Sequence, residues 1–354
     1  MQTCECTHAQ QATARAIQLT GERKLALTRI DEPPPPAADE IKVQIRIVAL
    51  NHIDVWSWRG MAFAKRDLPI ILGAEASGEV MAVGSAVKGL DVGDIVAFYG
   101  ARTCGTCGPC REGRDNFCEG PRSMYGFNID GFLRERMNIP ARLAVKAPKT
   151  LDVISAACAP ITFGTVEHML FDNAKLKAGE TILVQAGGSG IGTAAIQLAK
   201  AVGATVITTV GSDEKVERVR ALGADHVINY RRERFEGRVR KITNRKGVDV
   251  VFEHVGPDTW EGSILSLARG GRLVTCGSTT GVAAKTNLYL LFQQQLRLIG
   301  SFGCRMENMK NVMDRMARTH ISPMIDSIIS LDDVEEGLRR LEERKVFGKI
   351  IVKI

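Results

Sequence analysis

The chain has 354 residues, enough for about two domains at roughly 100–200 residues each. With 45% hydrophobic and 25% charged residues it can fill two cores, which excludes a disordered or fibrous protein. No apolar run approaches the ~18 residues of a membrane span, and the polar N-terminus shows no signal-peptide pattern. The expectation is a cytoplasmic protein with no membrane partner. The net charge of +7 is local: Arg231 to Lys246 holds eight bases and two acids, a segment charge of +6. This reads as a solvated helix face, with a nucleic-acid surface as the lesser alternative.

Four prolines, Pro33 to Pro36, exclude helix and central strand. The strict alternation Ile41-Lys42-Val43-Gln44-Ile45-Arg46-Ile47 predicts a half-buried strand, and shorter strands are expected near 78–83 and 94–98. The first 150 residues thus read as predominantly β. Within them Cys104, Cys107, Cys110 and Cys118 crowd onto one loop, interleaved with Gly105, Gly108 and Pro109. Four thiolates close a tetrahedral shell with no open position, so the spacing predicts one structural zinc ion. The other five cysteines are scattered. An odd total without a secretory signal argues against disulfides, and Cys4, Cys6 and His8 read as a polar tail.

Beyond residue 150 the pattern changes. An Ala-rich helical stretch covers 154–171. Strands at 181–185, 205–210, 226–228, 248–252, 273–276 and 296–300 then alternate with helices at 190–202, 213–222 and 259–267 and a basic helix. This predicts βαβ units in a doubly wound parallel sheet, an α/β fold. An amphipathic helix over 332–344 and a strand over 349–353 close the chain.

The strand 181–185 runs directly into Gly187, Gly188, Ser189, Gly190, Ile191 and Gly192 and then into a helix. Such a loop lets backbone approach a pyrophosphate at the helix N-terminus, so these residues are expected to bind a dinucleotide. An acid about 20 residues on would hold the ribose hydroxyl of NAD; Val210 and Gly211 stand there instead. Ser212 and Lys215 can meet a 2′-phosphate and Arg231 can add a cation, so NADPH is the expected cofactor, with Asp213 nearby as the opposing feature. Backbone at His254, Val255 and Gly256 and at Cys276 and Gly277, ending the fourth and fifth strands, is expected to hold the carboxamide.

The cysteine lobe in a β domain followed by a dinucleotide domain resembles the zinc-containing alcohol dehydrogenases of the medium-chain dehydrogenase/reductase superfamily, from about Ala14 onward. The resemblance implies a GroES-like catalytic domain (1–155 and 304–354, zinc lobe about 100–120), a Rossmann domain (156–303), and a homodimer through the last Rossmann strand. It also implies three catalytic-zinc ligands at the positions of Asn51, Ala74 and Ile161. None of these residues is a plausible ligand. The segments 50–54 and 72–78 are similar instead to the quinone oxidoreductase and enoyl reductase branch, which works with NADPH and without catalytic zinc.

The resulting expectation is an NADPH-dependent reductase of a small molecule with an activated C=C bond, an enone or enoyl thioester. NADPH:quinone reduction and a non-catalytic dinucleotide sensor or nucleic-acid-binding protein are the alternatives. Asn51 is the first candidate donor to an enolate oxygen, with His52 and Ser57 behind it. Thr165 stands where the family has a nicotinamide contact. Trp56, Trp58 and Phe63 are expected to wall the cleft. With no tyrosine at Met61 or Phe63, solvent is the expected proton source.

Overall fold

The computed structural model describes residues 13–60, 66–121 and 123–354. Two sheets organise the chain. The first is seven-stranded, with Glu40–Ala49 at its centre. Its alternation appears directly in burial, since Ile41, Val43 and Ile45 are fully enclosed while the polar residues between them are partly exposed. On one side it pairs with Lys349–Lys353, which pairs in turn with Ile325–Ser330; on the other come Ala76–Val83, Ile95–Phe98 and Ala144–Lys146, and Arg136–Pro140 also pairs with it. The end of the chain therefore completes the sheet begun near residue 40.

The second sheet has six parallel strands. Across it lie His226–Asn229, Thr205–Val210, Thr181–Val184, Val248–Glu253, Leu267–Thr275 and Arg297–Gly300. In chain order this is 3-2-1-4-5-6, the doubly wound arrangement whose ligand crevice opens where the order reverses. That point lies between Thr181–Val184 and Val248–Glu253.

Between the sheets runs a helical stretch from Val153 to Asn173. The sequence predicts one helix there; the structure alternates α-helical and π-helical turns, the latter at Ala159–Phe163 and His168–Asn173. Pro160 explains the first interruption, because it lacks an N–H and its ring crowds the preceding turn. The Phe163 N–H reaches back five residues to the Cys158 carbonyl. One hydrophobic core joins Val43 of the first sheet to Val184 of the second, with Met309, Val312, Met313 and Met316 of the helix Met306–Arg318 at the seam.

Some elements depart from the expectation. The hairpin Thr13–Gly21 and Lys24–Asp31, the helix Met306–Arg318 and the strand Ile325–Ser330 were not anticipated. The basic segment is confined to the helix Phe235–Ile242 and its flanks, where Arg234 pairs with Glu236 and Arg240 donates to the carbonyls of Leu265 and Leu267. Among the described residues no helix is long and apolar enough to cross a membrane.

Candidate functional site

The helix His52–Trp58 starts where Glu40–Ala49 ends, so Asn51 sits at the floor of the cleft between the sheets. Its backbone N–H donates to the Asp54 carboxylate at 2.8 Å, which fixes the turn. The organising group is Glu75, fully buried. Its Oε1 accepts the backbone N–H groups of Ile161 (2.7 Å) and Thr162 (2.5 Å). Its Oε2 accepts the Asn51 amide (2.9 Å), the Thr162 hydroxyl (2.8 Å) and the ammonium of Lys349 (3.0 Å). Asn51 and Ile161 thus meet on the carboxylate of the residue that follows Ala74.

Lys349 comes from the last strand and is 3% exposed. Its three hydrogens are taken by Glu75, the Leu50 carbonyl (2.8 Å) and Asn51 Oδ1 (2.8 Å). An ammonium only donates, so Asn51 must turn its oxygen to Lys349 and its NH₂ to Glu75 and the Ala49 carbonyl (2.9 Å). This corrects the expected role of Asn51, because both amide hydrogens are already committed and neither is open to an enolate oxygen. The fully buried Ser57 hydroxyl accepts from Arg66 at 2.6 Å. Trp58 is in the core with the Arg23 guanidinium 4.7 Å above its ring, so it does not wall the cleft. Met61, Phe63, Cys4, Cys6 and His8 lie outside the described residues. Asp54 is buried and one of its oxygens has no partner, and burial pushes its carboxyl up to about 6.

His52 opens the helix above this floor. Burial, then His254 and the positive charges of Arg344, Lys349 and Arg59, push its imidazole down to about 4, so the ring is neutral at pH 7. His254 stands at the end of the fourth Rossmann strand and donates from Nε2 to the Gln185 carbonyl at 2.9 Å, with Ser189 Oγ 3.5 Å away. Thr165 is buried in the interdomain helix.

The glycine loop has the form a dinucleotide needs. Ser189 caps the helix Gly190–Ala201 by accepting the Gly192 N–H. A Cβ on Gly192 would lie 2.4 Å from the Ala186 carbonyl oxygen, so only glycine allows the tight strand-to-helix turn. The helix N-terminus beyond it suits an anionic diphosphate. A C-terminal strap crosses this loop: the Gly348 N–H bonds the Gly188 carbonyl, and the Lys349 stem lies over Gly190. Lys215 reaches the Val346 carbonyl at 3.1 Å, and Arg218 stacks on Phe347. At the adenosine end Tyr230 rests on Gly211, where a Cβ would meet its hydroxyl at 2.4 Å. Asp213 is held by Asn229 and Arg232.

In the cysteine lobe the four sulfurs lie within 4.8 Å of one another, and Cys104 and Cys110 are 3.9 Å apart. A tetrahedron with Zn–S bonds of about 2.3 Å has edges of about 3.8 Å, so the donor set fits zinc. Backbone N–H groups of Thr106 and Cys107 point at Cys104 Sγ and pull that thiol down to about 5, while burial pushes Cys110 up to about 12.

Comparison with known proteins agrees with this geometry. The alcohol dehydrogenase GroES-like domain family matches residues 37–149 and the zinc-binding dehydrogenase family residues 190–318. An acryloyl-coenzyme A reductase of Sulfurisphaera tokodaii is 30% identical over 90% of this chain and 94% of its own length. A quinone oxidoreductase of Pseudomonas aeruginosa is 30% identical over 91% of this chain and 93% of its own. The crystal structure of an NAD-dependent alcohol dehydrogenase superposes with a TM-score of 0.91 at 36% identity, covering 96% of this chain and 99% of that one. The chain belongs to the medium-chain dehydrogenase/reductase superfamily. It is an oxidoreductase.

Within this superfamily fold, the residues that sequence reasoning missed are those that meet from far apart. Lys349 is 274 positions from Glu75, and Thr162 is 87. The signal available was the charge itself, a lysine directly before the buried run Ile350, Ile351 and Val352.

The ion pair at the floor yields a stability prediction. Lys349→Met leaves Glu75 buried without its cation and should cost about 3–5 kcal/mol in urea unfolding. Adding Glu75→Gln to Lys349→Met should recover a large part of that loss. Additive losses in the double variant would show that the two charges do not act as a pair.

Proposed function

We propose that the protein is an NADPH-dependent reductase that delivers hydride to an activated C=C bond, an enone or enoyl thioester. The observation that carries the reading is the Lys349–Glu75 pair at the cleft floor. An amide, a methyl and an isobutyl-sized side chain (Asn51, Ala74, Ile161) are not metal ligands, and an ammonium among them repels a dication. Without a Lewis acid an alkoxide loses several kcal/mol of stabilisation, whereas an electron-poor alkene needs only hydrogen-bond donors at its enolate oxygen. The acryloyl-coenzyme A reductase relatives favour this acceptor class. The quinone oxidoreductase relatives support quinone reduction as the second reading, since the same cleft serves either acceptor.

When bound, NADPH supplies the hydride; the chain's own residues hold and orient it. In our reading Gly187, Gly188, Ser189, Gly190, Ile191 and Gly192 receive the diphosphate. His52 is neutral, in surroundings made cationic by Arg344, Arg59 and Lys349. Val255 and Gly277 backbone takes the carboxamide, and Thr165 lies behind the ring. Ser212, Lys215 and Arg231 meet the 2′-phosphate, while Asp213 is paired with Arg232. With Asn51 committed, the His52 ring and cleft backbone would be the donors to an enolate oxygen, and solvent would protonate the α-carbon.

The test of the whole reading is NADPH oxidation against enones, enoyl thioesters, quinones and simple alcohols in reverse. Turnover with the first two classes is expected; efficient oxidation of ethanol or benzyl alcohol would overturn the reaction class. For the cofactor, each charge-assisted contact to the phosphate contributes about 1.5–3 kcal/mol. Lys215→Ala should therefore weaken NADPH about ten-fold or more and leave NADH nearly unchanged in a binding titration.

We further propose one structural zinc on Cys104, Cys107, Cys110 and Cys118. Metal analysis should give one zinc per chain, and Cys110→Ser should abolish it; two zincs per chain would contradict the account. The helix Leu288–Gln293, which precedes the edge strand Arg297–Gly300, exposes Leu288, Tyr289 and Phe292, a surface suited to a second copy of the chain. Sedimentation should report a dimer, and Tyr289→Lys with Phe292→Lys should shift it to monomer.

A further inference from the structure

Glu253 ends the fourth strand of the parallel sheet and is fully buried. Its Oε1 accepts the backbone N–H groups of His254 (2.9 Å), Val255 (2.7 Å) and Gly256 (3.2 Å). Its Oε2 accepts the hydroxyls of Thr259 (2.9 Å) and Ser263 (2.7 Å). Among the described residues no lysine or arginine pairs with it. The bonds continue inward: Gln185 donates to Ser263 (2.9 Å), Thr209 donates to Gln185 (2.7 Å), and the Ala186 N–H donates to Thr209 (2.9 Å). One buried chain of hydrogen bonds therefore joins the 254–256 loop to the start of the glycine loop.

Three N–H groups on one oxygen make a donor set for an anion. A glutamine would not fit in the same way: its oxygen could take the three N–H groups, but its NH₂ would leave the hydroxyl hydrogens of Thr259 and Ser263 without an acceptor. Five donors thus hold a full negative charge beside the 254–256 loop, with no cation paired to it among the described residues. Hydride loss turns the neutral dihydronicotinamide into a cation, as two electrons and one proton pass together to the acceptor's β-carbon and a solvent proton completes the α-carbon. A fixed negative charge beside the 254–256 loop favours the charged, oxidised ring.

We infer that Glu253 is a positioning residue whose buried charge stabilises the oxidised nicotinamide over the reduced one and so promotes hydride donation. The inference rests on the proposed placement of the nicotinamide at Val255 and Gly277. A unit charge within about 10 Å at an effective dielectric near 20 changes an affinity roughly ten-fold.

The experiment measures dissociation constants of NADP⁺ and NADPH separately, by calorimetry on the full chain. Glu253→Gln should raise the ratio of the NADP⁺ constant to the NADPH constant about ten-fold. Glu253→Asp keeps the charge but withdraws it by one methylene. It should shift the ratio the same way by about two-fold, and it serves alone should the Gln variant fail to fold. A merely structural role predicts equal weakening of both forms, and that result in the folded variants would overturn the inference. Failure of the unmodified protein to bind either form would instead contradict the cofactor placement on which the inference rests.

Discussion

A single carboxylate, Glu75, holds the cleft together. Five donors from three parts of the chain converge on it: two backbone amides and the Thr162 hydroxyl of the interdomain helix, the Asn51 amide and the Lys349 ammonium. Burying a carboxylate costs least when donors fill its lone pairs, and at Glu75 a cation meets the charge as well. The consequences spread outward. The π-helical turn after Pro160 presents the Ile161 and Thr162 N–H groups, Asn51 is locked in one orientation, and the last strand is tied to the first sheet.

The same lysine links the floor to the nucleotide side. Its stem passes over Gly190, and the residue before it, Gly348, bonds the glycine loop through its N–H. The strap 344–349 therefore touches Lys215 and Arg218 at one end and Glu75 at the other. A cofactor seated on the loop would bear directly on the segment that fixes the substrate cleft. This continuity follows from the topology, since the chain leaves the Rossmann sheet at Gly300 and returns to the first sheet through Met306–Arg318 and the two closing strands.

Much of this was legible in the sequence because the signals are local. The glycine loop between a strand and a helix, the four-cysteine spacing, and the alternation at 41–47 each lie within about fifteen residues. The six parallel strands were readable from β-branched runs separated by helices. The helix Met306–Arg318 was missed although Met306, Met309, Met313 and Met316 follow helical spacing, because polar residues between them mask the stripe. The Asn51 role was misread for a different reason. An asparagine at the end of a strand is equally a donor to substrate and a satisfied loop amide, and only Lys349, 298 residues away, decides between them. Glu253 was equally hidden, since its partners are chiefly backbone groups that no residue pattern announces.

The account's central claim is that hydride goes to carbon of an activated double bond and not to a carbonyl. The most direct measurement follows the label. With NADPH deuterated at the transferred position and an enoyl thioester or enone as acceptor, NMR of the product locates the deuterium. The account predicts deuterium at the β-carbon and a solvent-derived hydrogen at the α-carbon, with the carbonyl intact. Deuterium at the former carbonyl carbon of an allylic alcohol would contradict it.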